Sequence, residues 1–145
     1  ASGTDGKQTP IHSVPGEYVL LYFWDYNCGH CKKVTPRLAE SFKQYKDKGV
    51  TLVTVSINGD VDVWKEKLKD YDLEGAINLQ DHKRQSGFDR LYDIRSTPRL
   101  FILDKDRKIL AKQISVETME DLLNYELGIE TEETEEEADS EKGKE

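Results

Sequence analysis

"EYVLLYFWDYNCGHCKKVTPRL" (Glu17–Leu38) joins the longest apolar run of the chain to its only two cysteines, Cys28 and Cys31. The run Tyr18–Trp24 has no polar alternation, which predicts a strand buried on both faces, as in a parallel sheet. "DYN" then makes a polar turn. A helix is expected from about Cys28 to Asp47, because Val34, Leu38, Phe42 and Tyr45 recur at helical spacing. Pro36 lies inside it and should kink it. Asp47–Gly49 closes it, with the glycine as cap.

Two cysteines separated by two residues admit four readings. A zinc site needs four ligands; here there is one pair, and His12, His30 and His82 show no ligand spacing. A structural disulfide over so short a loop would restrict the unfolded chain little. An inert pair of core thiols is a third reading. The redox reading has the strongest physical basis. Cys28 falls where a helix starts after a buried strand, and unpaired backbone N–H groups and the helix dipole stabilise a thiolate there. Cys31 follows at i+3, one turn on, within reach of the first sulfur. A CxxC beside a βαβ pattern is a recognised redox signal.

Outward from this stretch, "VTLVTVSI" (Val50–Ile57) predicts a second central strand. Val61, Trp64, Leu68 and Tyr71 predict a helix over Val61–Tyr71, with Trp64 in its packing face. Residues 72–87 read as loop with a short strand at Ile77–Gln80, and Phe88–Ile94 as one or two helical turns. A hairpin follows, strand Arg99–Leu103 and strand Ile109–Ile114. Ser115 then caps a last amphipathic helix, built on Met119, Leu122, Leu123 and Leu127 and closed by Gly128. Strand–helix–strand makes a parallel pair and the hairpin adds antiparallel strands. The expected class is α/β: a mixed central sheet with helices on both faces.

These motifs together resemble the thioredoxin superfamily. The strand, the aromatic pair Phe23-Trp24, the CxxC and Pro36 match its active-site region. "IRSTPRLFILDKDRKIL" resembles its second signature, with Pro98 in the position of the family's cis-proline. The 67 positions between Cys31 and Pro98, and the pattern "CKKxxP", look more like the TlpA/ResA branch of bacterial, extracytoplasmic thiol–disulfide oxidoreductases. The resemblance covers roughly residues 15–128 and implies a thioredoxin-like fold. It implies Cys28 as exposed nucleophile and Cys31 as resolving thiol, with Gly29 and His30 between them. It further implies that Pro98 is cis and that the backbone of Thr97 pairs with an extended substrate segment. Trp24 is expected beside the active site as well as in the core, and is counted with the substrate-binding residues. No metal or organic cofactor is implied.

Gly29-His30 resembles the disulfide isomerase motif. A histidine near the Cys28 sulfur favours the thiolate as a cation or hydrogen-bond donor, and so shifts the poise toward oxidation. His30 pointing to solvent is the plainer alternative. Three positions depart from the relatives: Tyr22 stands where thioredoxin has a buried aspartate, Val34 where ResA-type relatives have a glutamate, and Asn27 where thioredoxin has a tryptophan. No usual carboxylate is left to take the proton of Cys31. Asp25 is the candidate acceptor, through water; a turn residue facing solvent is the other reading.

The chain has 145 residues, 34% charged, and no eighteen-residue apolar run that would span a membrane. Residues 130–145 hold nine acidic and two basic residues, which is −7 of the net −8. The body is therefore nearly neutral and without a basic cluster, against nucleic-acid binding. Three segments are expected: an arm over 1–16, the thioredoxin-like domain over 17–128, and a disordered acidic tail over 129–145. The N-terminus has no apolar h-region, so it is not a signal peptide. Two readings remain, a cytosolic protein or a mature or excised segment; the second, outside the cytoplasm or anchored by a missing upstream segment, is the expectation. The function expected is thiol–disulfide exchange with protein substrates and a redox partner protein, by a monomeric domain. The competing reading is a thioredoxin-like binding module of a larger surface protein, with little catalytic activity.

Overall fold

A computed structural model describes residues 2–83, 87, 90, 92 and 96–129. Its strands are β1 (Tyr18–Trp24), β2 (Val50–Ser56), β3 (Ile77–Gln80), β4 (Arg99–Leu103) and β5 (Ile109–Lys112). Its α-helices are α1 (Gly29–Phe42), α2 (Val61–Asp70) and α3 (Val116–Glu126). They form one mixed sheet in the order β3-β2-β1-β4-β5. β1 takes the centre, parallel to β2 from Tyr18–Val50 to Trp24–Ser56 and antiparallel to β4 from Val19–Leu103 to Phe23–Arg99. Its near-continuous apolar character is explained by that place: every residue after Tyr18 is buried.

The two faces of β1 feed two cores, because successive side chains point to opposite sides. Leu20, Tyr22 and Trp24 join Leu38 and Phe42 of α1, Trp64 and Leu68 of α2, and Met119 and Leu123 of α3. Val19, Leu21 and Phe23 join Val53, Val55 and Phe101 on the other face, where Ile11 and Tyr92 pack. Among the described residues α1, α2 and α3 pack on the first face, and Ile11 of the 3-10 helix Ile11–Ser13 packs on the second. Fully burying one such large apolar side chain contributes roughly 1.5–3 kcal/mol.

Three boundaries differ from the sequence expectation. α1 ends at Phe42 rather than near Asp47: Gln44 and Tyr45 donate to the carbonyls of Ser41 and Phe42, three residues back, so the chain tightens into turns. Tyr45 remains buried and donates to Asn124 Oδ1 at 2.8 Å, which is why the apolar period outlasts the helix. Gly49, at φ +80°, then turns the chain into β2. β5 stops at Lys112, where Gln113 takes φ +54°. The segment read as an arm packs on the body: Val14 is 3% exposed, and Ser2 and Gln80 exchange backbone hydrogen bonds at 2.9 and 2.7 Å. Apart from Arg90 and Tyr92, the turns expected over Phe88–Ile94 lie outside the described residues, as does the acidic stretch from Glu130.

Candidate active site

The parallel strands β1, β2 and β3 end at one edge of the sheet, the edge where such folds place their sites. Cys28 follows β1 after the turn Asp25–Asn27 and is the N-cap of α1, with extended backbone (φ −78°, ψ 122°). Its Sγ accepts the N–H of Cys31 at 3.2 Å, so the sulfur does what a serine or aspartate oxygen does at other helix starts. Cys28 is half-buried and Cys31 fully buried one turn on, and the two thiols are not bonded to each other.

The second signature meets the first here. The Thr97–Pro98 peptide bond is cis. The Cys28 thiol lies 3.5 Å from the Thr97 carbonyl, to which it donates. Burial pushes the Cys28 pKa up. Hydrogen bonds from Cys31, from the Thr97 side chain and from the His30 backbone N–H outweigh it, and the net shift is downward. Cys31 goes the other way: burial first, then its hydrogen bond to Cys28, push it up to about 12. The pair is thus split into an accessible thiolate former and a buried thiol.

The turn before Cys28 is clamped to the loop after β2. Asp25 accepts the N–H of Asn27 at 2.9 Å and the side-chain amide of Asn58 at 3.2 Å. The Tyr26 hydroxyl accepts the N–H of Asp60 at 2.6 Å. Gly59 lies against the Tyr26 ring at φ +120°, and a Cβ there would fall 2.3 Å from a ring carbon. Asp25 is therefore a turn residue, but a bonded rather than a solvated one. Its backbone N–H, not its carboxylate, lowers Cys31, and the Thr97 side chain does the same.

Tyr22, at the place of an expected acid, is fully buried and shares a 2.8 Å hydrogen bond with Thr35, four residues after Cys31 on the same helix. Burial keeps its hydroxyl un-ionised, pushing its pKa far up. Trp24 corrects an expectation. It is 0% exposed, packs edge-on to Tyr71 at 5.8 Å, and has no surface for a substrate. It sits on the α1 face of β1 and supports the site from beneath.

Beside the cysteines runs a groove of about 430 Å³, with His30, Val34 and Arg37 of α1 on one wall and Thr97–Leu100 and Gln113–Glu117 on the other. His30 is exposed at its lip. Among the described residues no group of three or more His, Cys, Asp or Glu is arranged to hold a metal ion. Sequence reasoning missed Tyr26, Thr35, Asn58 and Gly59. Only the "NGD" break after β2 marked a loop at this edge.

Comparison with known proteins agrees with this geometry. Residues 16–109 match the model of a family described as thioredoxin-like. The thiol-disulfide oxidoreductase ResA of Bacillus cereus is 30% identical over 121 residues, covering 83% of this chain and 68% of that protein. Nucleoredoxin of Xenopus laevis is 33% identical, but the chain spans only 27% of its length. Among solved structures, a domain of a possible thiol-disulfide isomerase from Cytophaga hutchinsonii superposes with a TM-score of 0.78 at 32% identity, covering 88% of each chain. A thiol:disulfide interchange protein from Bacteroides superposes with a TM-score of 0.77 at 25% identity, over 90% of this chain and 86% of that one. On the paired signatures, the mixed sheet and these likenesses, the chain belongs to the thioredoxin-like family.

Proposed function

We infer that this protein is a thiol–disulfide oxidoreductase acting on protein substrates through Cys28 and Cys31. The observation that carries this is the placement of Cys28: an N-capping sulfur with a lowered pKa, against the carbonyl that precedes cis-Pro98. The Cys28 thiolate attacks a substrate disulfide, the S–S bond breaks, and the leaving sulfur takes a proton. Cys31, once deprotonated, attacks the mixed disulfide, releases the second substrate sulfur and leaves the Cys28–Cys31 disulfide. Two electrons pass to the substrate, and the same steps run backward for oxidation. Thr97 and Pro98 seat the substrate chain and Gly29 gives the turn between the cysteines, while His30 acts on the Cys28 sulfur through its backbone N–H.

The Gly29-His30 spacer, which resembles the disulfide isomerase motif, supports a poise between about −270 mV and about −180 mV, the range between thioredoxin and disulfide isomerase. The ResA-like pattern supports a bacterial protein outside the cytoplasm, where disulfides persist. Insulin reduction with Cys28→Ala as control tests the activity, and a rate no better than the variant's overturns it. Equilibration with glutathione tests the poise. A membrane-impermeant maleimide applied to intact cells tests the location.

A further inference from the structure

We propose that Arg99 selects substrates with a carboxylate within two residues of the reactive cysteine. This rests on the oxidoreductase reading and adds a substrate class to it. Arg99 is the first residue of β4, directly after cis-Pro98, and it lines the groove. Its guanidinium folds back along the chain, donating to the Pro98 carbonyl at 3.0 Å and to the Ser96 hydroxyl. These two partners flank Thr97, whose carbonyl touches the Cys28 sulfur. The guanidinium is therefore fixed beside the point that any extended chain must pass to bring its sulfur to Cys28.

Both partners of Arg99 are neutral. Among the described residues no carboxylate forms an ion pair with it. The other arginine of the groove, Arg37, is already paired with Glu117. Arg99 thus offers a positioned, uncompensated cation with N–H donors suited to a carboxylate. Val34, Pro98 and Ile114 supply apolar wall on either side of it. An acidic side chain next to the substrate cysteine gains a charged partner there, a lysine is repelled, and a neutral residue gains nothing electrostatic.

The test uses three synthetic peptides, identical but for Glu, Gln or Lys before a single cysteine carried as its disulfide with 2-mercaptoethanol. Each rate of attack by the reduced protein is divided by that peptide's rate with free 2-mercaptoethanol. The expected order is Glu, Gln, Lys, with Glu about fivefold over Gln at low salt and the ratio shrinking in concentrated salt. Arg99→Gln should bring the Glu/Gln ratio to about one, and Arg99→Lys should restore part of it. Equal rates for the three peptides, or an Arg99→Gln ratio equal to wild type, overturn the selectivity and leave the oxidoreductase reading intact. If the reduced protein cleaves none of the three peptide disulfides faster than Cys28→Ala does, that reading falls and this one with it.

Discussion

Cys28 and Thr97 lie 69 residues apart in sequence, and the sulfur of one meets the carbonyl oxygen of the other at 3.5 Å. The contact opposes the rest of the site. A carbonyl favours the protonated thiol, whereas the N–H groups at the start of α1 favour the thiolate. A substrate chain that takes over the Thr97 backbone removes the partner that holds the proton. The sulfur then keeps only its donors, so docking and activation of the nucleophile are coupled.

Alkylation by iodoacetamide reads the thiolate directly. Cys28 should react with a midpoint below the ordinary free-thiol value of about 8.5. In Cys31→Ala the midpoint should move up, because the Cys31 side chain is one of the groups lowering it. A wild-type midpoint at or above 8.5, by mass spectrometry across a pH series, removes the thiolate argument.

Cys31 makes the stability of the reduced protein depend on pH. Its folded pKa is raised to about 12, so its contribution is complete below the unfolded value and is lost as pH rises through the folded one. Cys28, with a lowered pKa, contributes in the opposite sense: present above its unfolded value and lost as pH falls through the folded one. Denaturant unfolding between pH 8 and 10 should show wild type losing stability relative to Cys31→Ala, and parallel curves would contradict the burial of the thiol.

Gly59→Ala should cost about 2–3 kcal/mol, from a Cβ driven into the Tyr26 ring and a backbone at φ +120°. In a Tyr26→Ala background the ring is gone and only the backbone strain remains, so Gly59→Ala should cost less there than in wild type. Equal costs in the two backgrounds, by urea unfolding, would mean that the contact does not hold the turn.

Legibility followed the range of the interactions involved. β1, the CxxC and the hairpin were readable because burial on both faces, helix starts and turns write themselves into adjacent residues. The end of α1 was misplaced because Tyr45 stays buried after the helical hydrogen bonds stop, so periodicity and backbone parted. Val14 and Ser2 looked like an arm because what holds them is a sheet face and the β3 edge, distant in sequence. Trp24 is in the core as expected, but adjacency to the motif also counted it with the substrate-binding residues, whereas strand alternation sends it to the helix-covered face with Leu20 and Tyr22. The clamp between Asp25-Tyr26 and Asn58–Asp60 joins two loops, and neither carries a local sign of the other.

That clamp gives the sharpest test of how Cys31 loses its proton. Both carboxylate oxygens of Asp25 are bonded, to the Asn27 N–H and the Asn58 amide, and neither is bonded to Cys31. Asp25→Asn keeps one acceptor oxygen and removes the charge, so the release of a Cys28 mixed disulfide by Cys31 should stay within about threefold of wild type. Asp25→Ala removes both acceptors. It should cost about 1–2 kcal/mol in unfolding and move the Cys28 alkylation midpoint, because the turn that sets the sulfur loosens. Stopped-flow release of a fluorescent peptide from the mixed disulfide measures the step. A tenfold slowing in Asp25→Asn with unchanged stability would make the carboxylate the proton acceptor instead, working through water from a residue the fold uses as a clamp.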